Sequence, residues 1–129
     1  MKITLQNGWT RESLKARIVE RVPECSRCVD GTGFCIYYNP STEKSCAVGS
    51  LMPLEDAAKS VSVEDGACGL IENTPQGERL WEAGPFRTKD QYMDFQSVHD
   101  GYGVYPKRPS SSLHDHLCGW IDTHCEDPA

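Results

Sequence analysis

The cysteine content limits the ways in which this chain can fold, because seven of its 129 residues are cysteines. An odd number of thiols cannot pair completely within one chain. Residues 1–10 contain no apolar run of signal-peptide length, so we expect no export to an oxidising compartment, where disulfides persist. We therefore expect a fold built on a hydrophobic core. Its cysteines would be buried thiols, metal ligands or reactive thiolates, with a disulfide framework as the less favoured alternative.

The length suits one domain with one core, and we expect residues 1–129 to form a single domain. Eleven glycines and eight prolines divide the chain into short apolar segments. This pattern predicts an α+β fold, in which four or five short helices pack on a small antiparallel sheet. The acidic residues at 125–129 are expected to form a frayed tail.

The helical segments follow from the spacing of apolar residues and from their caps. Leu14, Ile18 and Val22 recur at helical spacing after a potential N-cap, Thr10, and predict a helix over residues 10–21. Further helices are predicted over residues 53–58, 75–81, 88–101 and 110–124. The β-formers at 34–38, a turn at 39–42 and a returning strand at 44–48 predict a hairpin. A short strand is predicted at 68–71.

The net charge of -6 narrows the choice of partners. It repels a phosphate backbone, so we expect no nucleic acid as partner. The longest apolar stretch, at 46–54, is interrupted by Gly49, Ser50 and Pro53, so we expect no membrane partner. The predicted location is the cytoplasm.

A Cys-x-x-Cys pair is the first group that could carry chemistry. Two thiolates at this spacing can hold one tetrahedral zinc ion, which then needs two more ligands. The predicted last helix offers an adjacent histidine and cysteine. The resulting candidate metal site consists of Cys25, Cys28, His114 and Cys118. The alternative is that these cysteines are small buried hydrophobic residues, and we expect no cofactor unless zinc is bound here.

A second candidate site pairs Cys46 with His99. A tight turn or helix start after Cys46 would direct backbone N–H groups at its sulfur and favour a thiolate. His99 would then serve as the base of a cysteine-dependent hydrolase or transferase. Asp100 is not expected to orient the imidazole, because adjacent side chains on a helix point about 100° apart. The alternative is a packed Cys46 and a His99 that caps helix carbonyls.

A third candidate is a contact surface in the glycine- and proline-rich segment 101–109. Tyr102 and Tyr105 are expected to be exposed there, beside Lys107 and Arg108. Exposed aromatic and basic side chains are typical of protein-binding surfaces.

Three short motifs resemble those of a group of small uncharacterised proteins encoded by tailed phages and prophages. They are Cys-x-Tyr at 35–37, Cys-Ala-Val-Gly-x-Leu-x-Pro at 46–53 and Gln-x-x-His-Asp at 96–100. The resemblance covers about residues 10–102. It implies a viral or mobile-element origin and work in the host cytoplasm, and it brings no activity with it. The chain departs from the pattern at Ser50, where many members have cysteine, and residues 108–129 have no counterpart.

Three functions remain open on the sequence. The favoured one is a non-enzymatic accessory protein that binds or inhibits a host protein, or binds a small ligand. The alternatives are a thiol-dependent hydrolase or transferase and a zinc-stabilised interaction domain. Small phage accessory proteins commonly act on host components, but that analogy identifies no site.

Overall fold

Helices dominate the computed structural model, which describes residues 2–31, 35–63, 66–104 and 107–129. In chain order the elements are β1 (Ile3–Thr4), α1 (Arg11–Arg21), β2 (Tyr38–Asn39), β3 (Lys44–Ser45), α2 (Ala47–Ser50), α3 (Leu54–Ala58), α4 (Ala67–Asn73), α5 (Pro75–Ala83), α6 (Lys89–Gly101), α7 (Leu113–His124) and β4 (Cys125–Glu126). Two separate two-stranded sheets accompany the helices. The predicted α+β class is confirmed, with seven helices in these ranges instead of four or five.

The predicted first helix is confirmed, together with its cap. The Thr10 hydroxyl accepts a hydrogen bond from the Ser13 N–H, and the Ser13 hydroxyl accepts one from the Thr10 N–H, so two orphan N–H groups at the start of α1 are satisfied. Leu14 and Ile18 are fully buried on the inner face. The helix packs against α7 and α2.

Helices α6 and α7 form the frame on which the candidate site is built. Thr88 and Gln91 form a capping box at the start of α6, and Ser112 caps α7. The inner face of α7 buries Leu113, Leu117 and Ile121. These residues recur every four positions, so α7 presents one continuous apolar stripe to the core. Helix α6 contacts α7, α2 and α4.

Aromatic side chains fill the centre of the core between these helices. The ring of Phe86 lies edge-on to Tyr92 at 5.1 Å, to Phe95 at 5.4 Å and to Trp120 at 5.9 Å between centroids. Edge-to-face pairs at this separation are the favoured arrangement of aromatic rings. They fix the Trp120 ring between α6 and α7.

The hairpin is present but shorter than predicted. Strands β2 and β3 pair antiparallel, with Tyr38 opposite Ser45. The returning strand ends there because Cys46 is already the N-cap of α2. Phe34, the first residue of the predicted strand, lies outside the described residues.

The prediction of a strand at 68–71 is wrong, because this segment belongs to α4. The helix buries Ala67, Leu70 and Ile71, which is the i, i+3, i+4 spacing of a helical face. The short apolar run alone does not distinguish the two structures.

The predicted frayed tail is also wrong for the first residues of that segment. Strand β4 pairs in parallel with β1, with Ile3 opposite Cys125. The side chain of Cys125 is fully buried, and Asp127 accepts the Arg11 N–H at 2.7 Å. The two ends of the described chain therefore hold each other in place.

Among the helices of the described ranges, none has both the length and the apolar character that crossing a bilayer requires.

Candidate functional site

A hydrogen-bonded network joins α2 to α6 through the side chain of Gln96. Its Oε1 accepts the Val48 N–H at 2.8 Å, and its Nε2 donates to Asp100 Oδ1 at 2.9 Å. Val48 lies in the first turn of α2, where backbone N–H groups have no partner within the helix. Gln96 therefore caps one helix from another and positions Asp100 at the same time.

His99, at the end of α6, is fully buried and has a partner at each ring nitrogen. Its Nε2 lies 2.8 Å from the backbone nitrogen of Cys28, and its Nδ1 lies 2.8 Å from Asp100 Oδ1. The amide of Cys28 can only donate, so Nε2 accepts and the ring proton is on Nδ1. The hydrogen bonds thus fix a neutral imidazole that donates to Asp100.

The expectation that Asp100 does not orient His99 is wrong. Nδ1 is the ring nitrogen nearer to the backbone, so the neighbouring carboxylate reaches it although the two side chains leave the helix in different directions. Burial opposes ionisation of Asp100. Hydrogen bonds from His99, Gln96 and the Cys35 thiol outweigh that effect and hold its pKa below the usual range. Asp100 is a fixed negative charge that accepts from three side chains.

Cys35 is an exposed member of this network, as is Asp100. Desolvation of its sulfur and the negative charge of Asp100 raise the pKa of the thiol, although the Arg27 guanidinium lies 3.7 Å from the sulfur and opposes the shift. A thiol that donates to a carboxylate is stabilised in its protonated form. The arrangement therefore does not activate Cys35 as a nucleophile.

The same three residues place donor atoms of metal-binding type close together. The ligand atoms of Cys35, His99 and Asp100 lie within 4.8 Å of one another. In the described part of the chain, no other three histidine, cysteine or acidic residues bring their ligand atoms this close together. A histidine that binds a metal normally donates its second ring N–H to an acceptor. Here the second nitrogen of His99 accepts instead, and the proton occupies the nitrogen that faces Asp100. The geometry fits a hydrogen-bonded network better than a metal centre.

Cys46, the predicted nucleophile, is the N-cap of α2 and is 1% exposed. Its sulfur accepts the Gly49 N–H at 3.2 Å. Burial nevertheless raises the pKa of this thiol far above its ordinary value. Because both nitrogens of His99 bond to other groups, this conformation offers Cys46 no imidazole base. The nucleophilic role of Cys46 stays a prediction that these contacts do not support.

Gly49 makes the close approach of two segments possible at this point. A Cβ atom on Gly49 would overlap the backbone carbonyl of Tyr37. That carbonyl accepts the Cys46 N–H at 3.2 Å, so the two backbones are in direct contact. Only glycine leaves room for this contact.

The four residues of the predicted zinc site are distributed over separate contacts. The segment after α1 does meet α7, as the zinc hypothesis requires, because the His114 N–H donates to the Glu24 carbonyl at 3.2 Å. However, the imidazole of His114 lies 2.6 Å from the Val22 carbonyl, and the Cys28 sulfur is directed to the Lys44 carbonyl at 3.4 Å. Cys25 is exposed and Cys118 is half-buried. The zinc site stays a prediction.

The predicted contact surface at 101–109 is only partly available. Tyr102 is 9% exposed, its hydroxyl donates to the Ser111 carbonyl at 2.9 Å, and its ring stands edge-on to His116. Its predicted exposure is wrong, because the residue after α6 folds back onto the start of α7. Lys107 and Arg108 are exposed. Tyr105 lies outside the described residues.

An open groove between α6 and α7 is the feature that sequence reasoning missed. Its larger part has a volume of about 560 Å³ and is lined by Ile3, Gln91, Asp94, Ser97, Trp120 and His124. A second hollow of about 220 Å³ adjoins it at Ser97 and reaches His116 and Tyr102. We call these two parts together the α6–α7 groove. The signal in the sequence was the four-residue spacing of His116, Trp120 and His124, which places three rings on one stripe of a helix.

A scan against family models and searches of curated proteins and of solved structures give no match for this chain. The three short motifs at 35–37, 46–53 and 96–100 lie together in space. Cys35, Val48, Gln96 and Asp100 belong to the one network described above.

Proposed function

We propose that this protein acts without catalysis, by binding another protein through the α6–α7 groove. The observation that carries this proposal is an open groove whose walls include the Trp120 ring and an Asp94 carboxylate with no partner in the described residues. Such residues contribute strongly to binding when a partner covers them. Because the sequence motifs resemble those of phage proteins, we propose that the partner is a host protein and that the chain works in the host cytoplasm.

The state of the thiols supports a non-enzymatic role. Burial raises the pKa of Cys28 and of Cys125 to about 11, and it also raises the pKa of Cys46 and Cys118. A nucleophilic cysteine needs the opposite shift. His99, the base that such an enzyme would use, is held between Cys28 and Asp100.

The dimensions of the groove fit a short segment of a partner. His116 and His124 are separated by two helical turns, which is about 12 Å along α7. Four residues of extended chain span about that distance. The rings along this wall are already fixed by packing, because Trp120 rests on Phe86 and Phe95. Fixed side chains lose little entropy when a partner binds.

A substitution at Ser97 tests the proposal, because this exposed residue lies where the two parts of the groove meet. We expect Ser97→Arg to weaken binding of a partner captured from host lysate by tenfold or more, since its side chain occupies the groove. Ser62→Arg is the matched control, with the same change of charge at an exposed site remote in sequence from both helices. Dissociation constants of the purified complexes measure both effects.

A captured partner that binds wild type and Ser97→Arg equally would contradict docking in the groove. Loss of binding in both variants would show that charge alone weakens the complex. Circular dichroism of each variant confirms that the fold is retained.

A further inference from the structure

We propose that the α6–α7 groove receives an arginine side chain of its partner, an inference that rests on the proposed function. The first ground is charge. Among the described residues that line the larger part of the groove, Asp94 supplies the one carboxylate. Asp94 is exposed and makes no hydrogen bond or ion pair within the described ranges.

The surroundings of Asp94 keep its charge available for a ligand. The nearest lysine in the sequence, Lys89 at the start of α6, is already paired with Glu72 at 2.7 Å. The whole chain carries a net charge of -6. A cationic group therefore gains attraction both from the groove and from the molecule as a whole.

The second ground is the aromatic side chain that lines the same part of the groove as this carboxylate. The indole of Trp120 is half-buried and lies 5.2 Å from the His124 ring, with an angle of 39° between the two planes. A guanidinium can stack on an indole face while it donates two parallel hydrogen bonds to a carboxylate. An ammonium group is a point charge and cannot satisfy both partners in this way. A groove whose lining contains both Trp120 and Asp94 therefore favours arginine over lysine.

The same chain shows both elements of this recognition elsewhere. The guanidinium of Arg17 lies 5.1 Å from the centroid of the Trp9 ring. Arg79 donates to both carboxylate oxygens of Asp56, at 3.0 and 2.6 Å. In the groove, the acceptor and the ring are present and the arginine comes from the partner.

Titration of the full chain with short peptides tests the inference. The probe is acetyl-Gly-Ser-Arg-Ser-Gly-amide, and its controls carry citrulline, lysine or glutamate at the central position. Citrulline keeps the shape of arginine without the charge. The indole N–H signal of Trp120, assigned with Trp120→Phe, reports binding by nuclear magnetic resonance. We expect saturable shifts with the arginine peptide and at least tenfold weaker binding of the citrulline peptide.

The variant Asp94→Asn removes the charge and keeps the shape of the side chain. We expect it to weaken binding of the arginine peptide about fivefold to tenfold and to leave the citrulline peptide unchanged. Asp90→Asn is the matched control, because Asp90 lies on the same helix outside the lining of the groove. We expect less than a twofold effect there.

Equal binding of the arginine and citrulline peptides, or an arginine peptide indifferent to Asp94→Asn, overturns the inference. The proposed function fails separately. If the captured partner loses affinity on Ser97→Arg but no arginine peptide binds, the groove is a docking site and arginine is not its ligand. If arginine binds with the expected dependence on Asp94 and Ser97→Arg leaves the partner unaffected, the groove recognises arginine and the partner docks elsewhere.

Discussion

His99 illustrates how hydrogen-bond partners decide what a residue can do. An imidazole can serve as a catalytic base, but here one ring nitrogen accepts a hydrogen bond from a backbone amide and the other donates one to Asp100. A base must have a free lone pair directed at the proton that it removes. In this network the lone pair of Nε2 is directed at Cys28. His99 therefore ties the segment after α1 to the end of α6.

The close contact at Gly49 predicts the effect of adding a single methyl group on stability. In Gly49→Ala the new methyl group would overlap the Tyr37 carbonyl, so the hairpin and α2 must separate. We expect a loss of about 2–4 kcal/mol in the free energy of unfolding, from strain and from lost hydrogen bonds. Urea denaturation measures it.

The matched control is Gly119→Ala, in the middle of α7. Nothing lies within 4 Å of a Cβ atom at that position. Alanine is favoured over glycine inside a helix, so we expect a gain of about 0.5–1 kcal/mol. A Gly49→Ala protein as stable as wild type would contradict the close approach of Tyr37.

At the scale of elements, the sequence predicts the long amphipathic helices well and the short segments poorly. The helices that begin after Thr10 and Thr88 combine a capping residue with apolar side chains at helical spacing, and both are confirmed. The sequence at 68–71 predicts a strand wrongly, because a run of four residues is too short to show the helical period of the apolar side chains. Its helical structure depends on packing against α5 and α6, which no local pattern contains.

For a similar reason, only part of the candidate site could be predicted from the sequence. The sequence indicates a tight turn or helix start after Cys46 and a helix end near His99, and in the structure α2 begins after Cys46 and α6 ends near His99. Two of the contacts were not predictable from local patterns, because Gln96 reaches α2 only through the packing of α6 on α2, and Cys28 reaches His99 from the segment after α1. The groove was missed because its two walls belong to different helices and come together only in the folded protein.

The contact between α3 and α5 gives a prediction at the same scale. Asp56 has a side chain that is 5% exposed and accepts two hydrogen bonds from Arg79. These bonds lower the pKa of Asp56 despite its burial. The unfolded value is about 3.9, so the pair stabilises the fold above that pH and loses its effect as pH falls through the lower folded value.

We therefore expect Asp56→Asn to lower the urea midpoint at pH 7 and to differ less and less from wild type as pH is lowered towards 3. Glu72→Gln is the control, because it breaks an exposed ion pair with Lys89 that contributes about 0–1 kcal/mol. Urea unfolding at several pH values measures both. A deficit of Asp56→Asn that is the same at pH 7 and at pH 3 would show that the ion pair does not carry the effect.

At the scale of the whole molecule, the seven free cysteines are distributed between surface and core. Cys25 and Cys35 are exposed, whereas Cys28, Cys46 and Cys125 are buried. The buried thiols take part in the core like small apolar residues. This distribution separates the binding hypothesis from the thiol-dependent one, since an enzyme would need its reactive cysteine among those that a reagent reaches first.

We expect native protein near neutral pH to react first at the exposed Cys25 and more slowly at Cys35, because the pKa of the Cys35 thiol is raised, and we expect denatured protein to react at all seven thiols. Cys46 reacts only after the structure opens locally, because only a thiolate reacts and the burial of Cys46 opposes ionisation of its thiol. Mass spectrometry after timed alkylation gives the rate at each site. Cys46→Ser should leave the fast phase unchanged, whereas Cys25→Ser should remove one equivalent from it. If Cys46 instead reacted first and the fast phase vanished in Cys46→Ser, an activated thiolate would be present, and a thiol-dependent reaction would replace binding as the favoured function.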